Sequence, residues 1–154
     1  MPLDRLQKAK KYAFLLLKFR LRGEKEIEQR LKEKGFEDTA IKQAVSFLKD
    51  KGFINDKAFT KAWIRYRLKK PYGIKKIKEE LRLKGIDKQL LDSCISEAKD
   101  KNYSEENIVK EIVEKKLKKL KGIEPGKAKR RLYAYLFARG FSYEVIINAI
   151  NKLM

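Results

Sequence analysis

One pattern of apolar residues around a glycine occurs three times along the chain, with glycines at positions 35, 85 and 140. In each copy, apolar residues lie eight and four positions before the glycine, and another follows it directly. A period of about 50 residues is typical of a supersecondary unit whose copies stack on one another. The repeated residues are Ile27, Leu31, Gly35, Phe36, Ile41, Val45 and Leu48, then Ile77, Leu81, Gly85, Ile86, Leu91, Ile95 and Ala98, and finally Leu132, Leu136, Gly140, Phe141, Ile146, Ile150 and Leu153.

The spacing within each copy predicts two helices joined by a tight turn. Apolar residues four apart share one face of a helix, and Gly35, Gly85 and Gly140 each suit the left-handed position that ends a helix. The apolar residue after each glycine is expected to contact the one four positions before the glycine. These three glycines are therefore predicted to be structural.

A longer amphipathic helix is predicted before each pair, over residues 4–22, 55–70 and 104–121, with Ser104 as an N-cap. Gly23, Gly73 and Gly122 are predicted to close these three helices. The sequence thus predicts an all-α fold of about nine helices. Its architecture is an elongated tandem array of three three-helix, helix-turn-helix-like repeats over residues 1–52, 53–103 and 104–154.

The chain carries 40 Lys and Arg against 21 Asp and Glu, a net charge of +19. The excess is spread evenly, with +6, +7 and +6 in the three predicted repeats. An even excess indicates that the body of the protein, rather than one tail, meets a polyanion or an acidic surface. The alternative is enrichment in lysine for solubility or heat tolerance, but glutamate does not rise with it.

Two groups of basic residues are candidates for binding that partner. The first lies on the helix 55–70 and the turn after it, and the second near the start of a helix at 126–139; a merely solvated face is the alternative for both. Phe59, Trp63 and Tyr66 are predicted to point into the core, as are Phe14, Phe36 and Phe141, whereas Tyr72 is predicted to reach solvent. The candidates are Lys57, Lys61, Arg65, Arg67, Lys69, Lys70, Tyr72, Lys75 and Lys76, and then Lys129, Arg130 and Arg131.

Catalysis is poorly supported by the residues present. The chain has no histidine, its one cysteine (Cys94) lies at a predicted core position, and its carboxylates are scattered among lysines. We therefore predict no enzyme activity, no catalytic residue, no metal and no cofactor. The longest apolar run is too short for a membrane span, and no signal peptide is recognisable, so a cytoplasmic protein without a membrane partner is expected.

Two segments resemble the RecX family of regulatory proteins. The central signature is residues 52–67 (GFINDKAFTKAWIRYR) with 72–86 (YGIKKIKEELRLKGI), and the second is residues 129–146 (KRRLYAYLFARGFSYEVI). The resemblance extends over about residues 5–153 and includes the three tandem units. The family often has Pro-x-Arg after the Tyr-Gly turn, where this chain has Ile74, Lys75 and Lys76.

The resemblance implies a regulator that binds the RecA recombinase filament on single-stranded DNA, and we expect a monomer in the bacterial cytoplasm. It implies that strand exchange, ATP hydrolysis and coprotease activity of the filament are modulated, with inhibition expected, in DNA repair, recombination and the SOS response. Weak binding to duplex DNA is compatible with it. Three alternatives stay open: a sequence-independent DNA-binding helical protein without a recombinase partner, a helix-turn-helix repressor, and a protein-interaction solenoid unrelated to DNA.

Overall fold

The computed structural model describes residues 2–99 and 103–154, and these residues form nine α-helices and no strand. This confirms the predicted all-α class with three helices in each repeat. The first helix of each repeat is shorter than predicted, ending at Phe19, Leu68 and Lys119. The helices are α1 (Pro2–Phe19), α2 (Glu24–Glu33), α3 (Asp38–Asp50), α4 (Asp56–Leu68), α5 (Ile74–Leu83), α6 (Lys88–Lys99), α7 (Glu105–Lys119), α8 (Pro125–Ala138) and α9 (Tyr143–Leu153).

The described residues pack as two compact units. The first unit falls within Met1–Trp63 and Leu81–Cys94, and the second within Ile64–Glu80 and Ile95–Met154. The middle repeat therefore contributes residues to both units, while α1–α3 belong wholly to the first and α7–α9 to the second. The repeat boundaries given by the sequence stay predictions.

Each unit has its own apolar core, built from the positions that the repeat singles out. In the first unit, Ile27, Leu31, Ala44 and Leu48 are completely buried among α1, α2 and α3. In the second unit, the core of α7, α8 and α9 contains Val109, Val113, Leu132, Leu136, Phe141, Ile146, Ala149 and Ile150. Burying large aliphatic and aromatic side chains stabilises such small cores by about 1.5–3 kcal/mol each.

The three repeated glycines end their helices as predicted. Gly35, Gly85 and Gly140 have φ angles of +98°, +84° and +88°, where a Cβ atom would be strained. The next residue donates its N–H to the carbonyl five positions earlier in all three turns, at 3.2, 3.1 and 3.2 Å. This hydrogen bond defines a Schellman cap, so the turn is the same in each repeat.

Several predicted positions are wrong. Gly23 and Gly73 do not close helices: Gly23 is the N-cap of α2 with φ −74°, and Gly73 precedes the first residue of α5. The ring of Phe14 is 37% exposed and packs edge-to-face on Phe53 at 4.8 Å. Tyr66 is 52% exposed.

The buried face of α4 is rotated relative to the prediction. Its innermost residues are Phe59, Thr60 and Ile64, which are 3%, 0% and 1% exposed. Residues 60 and 64 share one side of the helix, and this turns residue 66 toward solvent. Trp63 is half-buried, with Phe59 beside its ring and the Lys84 ammonium 4.7 Å above it.

Inside each unit, the first residues of one repeat's second helix contact the glycine turn of the next repeat. In the first unit, Lys25 side-chain atoms occupy the space next to Gly85, so that a Cβ there would lie 2.5 Å from Lys25 Cγ. In the second unit, Gly73 donates its N–H to the Arg139 carbonyl at 2.7 Å, and Lys76 Nζ donates to the Ala138 carbonyl at 3.4 Å. We call this recurring contact the helix-turn junction.

Glu26 at the first helix-turn junction makes the stability of the first unit dependent on pH. Burial raises its pKa, but the hydrogen bond from Arg20 and the charges of Arg20, Lys84 and Arg22 lower the pKa below 4.5 overall. A carboxyl whose pKa is lower in the folded protein stabilises the fold above its unfolded pKa, and this contribution is lost as the pH falls through the folded value.

Glu26→Gln is therefore expected to reduce the unfolding free energy at about pH 7 and to have a much smaller effect at about pH 3. The measurement is urea unfolding of both proteins at the two pH values. Comparing the two proteins at each pH removes the shared titration of the other carboxyls. A difference that stays constant between the two pH values would contradict the prediction.

Candidate functional site

Ten of the twelve predicted partner-binding residues lie in the second compact unit, and Lys57 and Lys61 lie in the first. The side chains of Lys57, Arg65, Lys69, Lys70, Lys75, Lys129, Arg130 and Arg131 are exposed. Lys61, Arg67, Tyr72 and Lys76 are half-buried. Most of the candidate site therefore belongs to the second unit.

Tyr72 is surrounded by three cations, Arg67, Lys76 and Arg139. We call these residues, together with the Glu80 carboxylate that pairs with Arg67, the Tyr72 cluster. The Arg67 guanidinium is 4.7 Å from the centroid of the Tyr72 ring, Arg139 is 5.1 Å away, and the Lys76 ammonium is 5.3 Å away. Tyr72 was predicted to reach solvent, but cations cover its half-buried ring. Attraction between a cation and the ring face stabilises this arrangement.

Arg67 has an internal carboxylate partner. Its Nη2 atom donates to Glu80 Oε2 at 2.5 Å, and the two side chains are 20% and 19% exposed. A short, charge-assisted hydrogen bond between partly desolvated groups holds α4 and α5 together in this unit. A role for Arg67 in partner binding stays a prediction, but the structure gives this residue an internal role as well.

A groove next to the Tyr72 cluster gathers further lysines. We call it the basic groove; its volume is about 500 Å³. It lies between the end of α4, one face of α7 and Tyr135 of α8. Its lining comprises Leu68, Lys69, Lys70, Pro71, Ile108, Glu111, Ile112, Lys115, Lys116, Lys119 and Tyr135.

The basic groove and the Tyr72 cluster are connected by aromatic rings and cations. Lys116 Nζ lies 4.1 Å from the Tyr135 ring centroid, and the Arg139 guanidinium lies 4.7 Å from the same ring. Arg139 thus contacts both Tyr72 and Tyr135. Beside the end of α4, Lys70 donates a hydrogen bond to the Tyr66 hydroxyl at 3.1 Å, and this bond lowers the pKa of the Tyr66 phenol.

The structure does not bring the second predicted cluster into this arrangement. Lys129, Arg130 and Arg131 are exposed near the start of α8, where the Glu124 carboxylate caps the helix by accepting from the N–H groups of Gly126 and Lys127 at 2.9 Å. Lys129 and Arg130 border a separate depression of about 320 Å³ beside α9. They form a second basic surface on this unit.

Sequence reasoning missed the residues of the third repeat that complete the site: Lys115, Lys116, Lys119, Tyr135 and Arg139. Four lysines among five consecutive residues, 115–119, were a visible signal. Arg139 gave a weaker signal, because it directly precedes a repeated glycine and only the fold shows that it faces Tyr72.

No group of three or more side chains that could hold a metal ion occurs in the part of the chain that the structure describes. Cys94 is 3% exposed, in agreement with its predicted core position. None of the described helices has the length and apolar character needed to span a membrane. The chemical character of the site is thus positive charge beside aliphatic and aromatic surface.

Family models match the chain in three consecutive segments. The first three-helix domain of RecX matches residues 9–48, the second matches residues 55–95, and the third matches residues 104–150. The regulatory protein RecX of Amycolatopsis mediterranei is 32% identical over 151 residues, covering 98% of this chain and 86% of that protein. The regulatory protein RecX of Clostridium beijerinckii is 32% identical over 153 residues, covering 98% and 70%.

Solved structures show the same fold. The crystal structure of RecX from Lactobacillus salivarius superimposes with a TM-score of 0.83 at 26% identity, covering 98% of this chain and 97% of that one. A second crystal structure, of a regulatory protein RecX, also gives 0.83, at 20% identity over 97% of this chain and 74% of the other. This second likeness supports the fold alone.

Proposed function

The chain belongs to the RecX family of regulatory proteins, and from this premise we propose that it binds the RecA recombinase filament on single-stranded DNA and inhibits it. The regulated activities are recombination, ATP hydrolysis and the coprotease function of the filament, in DNA repair and the SOS response. The protein acts in the bacterial cytoplasm as a monomer and uses no cofactor.

The observation that carries this proposal is the ordered match of three RecX domains over residues 9–150. The positive charge of every repeat supports it, because a filament of protein and DNA offers both phosphates and acidic side chains. Several weak contacts made along one chain reinforce each other, since each one holds the rest close to their partners. The exposed residues Arg65, Lys69 and Lys75 are proposed to make such contacts.

The test is to titrate the protein into RecA hydrolysing ATP on single-stranded DNA, with binding to bare DNA measured in the same buffer. We expect strong suppression at a few molecules per hundred RecA subunits, because competition for DNA has little effect at that ratio. Suppression that begins only when the DNA is coated would instead support the alternative of a DNA-binding helical protein. Such binding falls with salt, with a log–log slope of about −0.9 per duplex phosphate neutralised.

A matched pair of variants tests the surface in the same assay. Arg65→Glu with Lys75→Glu reverses two exposed cations of the second unit, whereas Arg82→Glu with Lys88→Glu makes the same change at exposed positions of the first. The first variant is expected to need at least about fivefold more protein for half-suppression, at a cost of up to about 1 kcal/mol for each exposed charge contact. Equal suppression by both variants would contradict the proposal that RecA contacts the exposed cations of the second unit.

A further inference from the structure

We propose that the basic groove binds an acidic peptide segment with aliphatic side chains, supplied by a protein partner. This inference deepens the proposed function and rests on it for the identity of the partner, but the groove itself is defined by the fold of the second unit alone. None of Lys115, Lys116, Lys119 and Tyr135 was among the residues predicted to bind a partner.

One wall of the basic groove is a single face of α7. Residues 108, 111, 112, 115, 116 and 119 recur at helical spacing, so one long face of α7 borders the groove. The segment from Leu68 to Pro71 at the end of α4 forms another wall. A groove bordered by one helix face suits an extended or helical segment better than a compact small molecule.

The rim is strongly positive. Five lysines and a single glutamate, Glu111, line the groove. Among the described residues, no ion pair involves Lys69, Lys115 or Lys119. Three ammonium groups are thus available to carboxylates of a bound segment.

The floor favours a peptide over a nucleic acid strand. Leu68, Ile108 and Ile112 are half-buried aliphatic side chains, which suit the apolar face of a peptide. Binding of unpaired bases relies on aromatic rings open for stacking. Tyr135 is the aromatic residue of the lining, and Lys116 and Arg139 already lie over its ring. The groove therefore offers lysines for carboxylates and an aliphatic surface for leucine-like side chains.

The probe is a fluorescein-labelled peptide of about twelve residues, with leucines at helical i, i+3 and i+4 spacing and glutamates elsewhere. Its binding to the full chain is measured by fluorescence anisotropy. Lys115→Gln with Lys119→Gln is expected to weaken binding about fivefold, because two charge contacts at the rim are lost. Lys110→Gln with Lys118→Gln changes the same charge at exposed positions of α7 outside the groove, and should change affinity less than about twofold.

A second peptide, with serine in place of each leucine, tests the aliphatic floor without altering the protein. It is expected to bind at least about tenfold more weakly, since serine removes the apolar surface that the leucine side chains bury against the floor. Equal binding of both peptides would overturn the proposal, as would equal loss in the two lysine variants. The proposal is also overturned if an oligothymidylate of equal charge binds more tightly than the leucine peptide and loses affinity only in the Lys115 and Lys119 variant.

The peptide experiment and the RecA experiment fail separately. If the peptide binds as expected while wild-type protein leaves ATP hydrolysis unchanged, the groove stands and the proposed function is wrong. If the protein suppresses hydrolysis and the peptide does not bind, the function stands and the groove is not its peptide site.

Discussion

Gly73→Ala is expected to lower the unfolding free energy of the second compact unit by about 3–5 kcal/mol, more than most single substitutions cost. A Cβ atom at position 73 would lie 2.2 Å from the Gly140 carbonyl oxygen, 2.4 Å from its carbon and 2.6 Å from the Phe141 nitrogen. All three are backbone atoms, which have little freedom to move away. Moving the backbone apart to relieve this clash would also lengthen the 2.7 Å hydrogen bond from the Gly73 N–H to the Arg139 carbonyl.

Gly23→Ala is the matched control, because Gly23 holds the equivalent place before α2 in the first repeat. Its φ is −74°, and a Cβ there would meet its nearest neighbour, Asp56 Oδ1, at an ordinary 3.5 Å. We expect a change within about 1 kcal/mol, since alanine fits both the conformation and the space. Urea unfolding of the two variants followed by circular dichroism makes the comparison; similar losses in both would show that the backbone contact at Gly73 is not as tight as described.

Arg67→Glu is expected to destabilise the second unit by about 2–4 kcal/mol, because it places a carboxylate against the half-buried Glu80 and removes that residue's partner. The loss includes the contact between the Arg67 guanidinium and the Tyr72 ring. Arg65→Glu, two residues earlier on the exposed side of α4, should change the unfolding free energy by no more than about 0.5 kcal/mol.

The reversed pair distinguishes the ionic contact from other effects at position 67. Combining Arg67→Glu with Glu80→Arg restores opposite charges and should recover part of the stability that Arg67→Glu loses. Combining Arg65→Glu with Glu80→Arg should recover none of the stability that Glu80→Arg loses. Thermal unfolding of the wild type, Arg67→Glu, Glu80→Arg and the double variant gives the coupling energy. If Arg67→Glu and Arg65→Glu prove equally stable, the pair contributes nothing measurable, and Arg67 remains only a candidate for partner binding.

The fold was predictable because its determinants are local in sequence. Gly35, Gly85 and Gly140 with their flanking apolar residues specify a helix, a Schellman cap and the next helix within about 20 residues. Ser104 was likewise readable as an N-cap, and its hydroxyl accepts from the Asn107 N–H at 3.2 Å.

The exact buried face of α4 was not predictable, because several faces of that helix carry apolar residues. Phe59, Trp63 and Tyr66 form a plausible amphipathic stripe, but tertiary packing instead buries Thr60 and Ile64. The roles of Gly23 and Gly73 were misread for a related reason: a glycine between two helices can end the first or precede the second, and only neighbouring backbone decides which.

Only the part of the candidate site that comes from the middle repeat was predictable from the sequence. Lys69, Lys70 and Tyr72 stood out as part of a basic, aromatic segment, whereas their neighbours in space lie about 40–70 residues further along the chain. Neither charge nor periodicity indicates that Arg139 contacts Tyr72, or that α7 borders Lys69. Both pairings join segments of different repeats, and the contact of Arg139 with Tyr72 lies next to the helix-turn junction.

Because of the helix-turn junction, a sequence repeat and a compact unit do not contain the same residues. Gly73 and Lys76 are numbered with the middle repeat, yet their partners Ala138, Arg139 and Gly140 belong to the third. A fragment cut between repeats, at residue 103, would lose those partners and leave the start of α5 without its support. Duplication of a coding segment can supply three similar lengths of chain, but the middle copy divides its contacts, and the start of α5 depends on the glycine turn of the third copy.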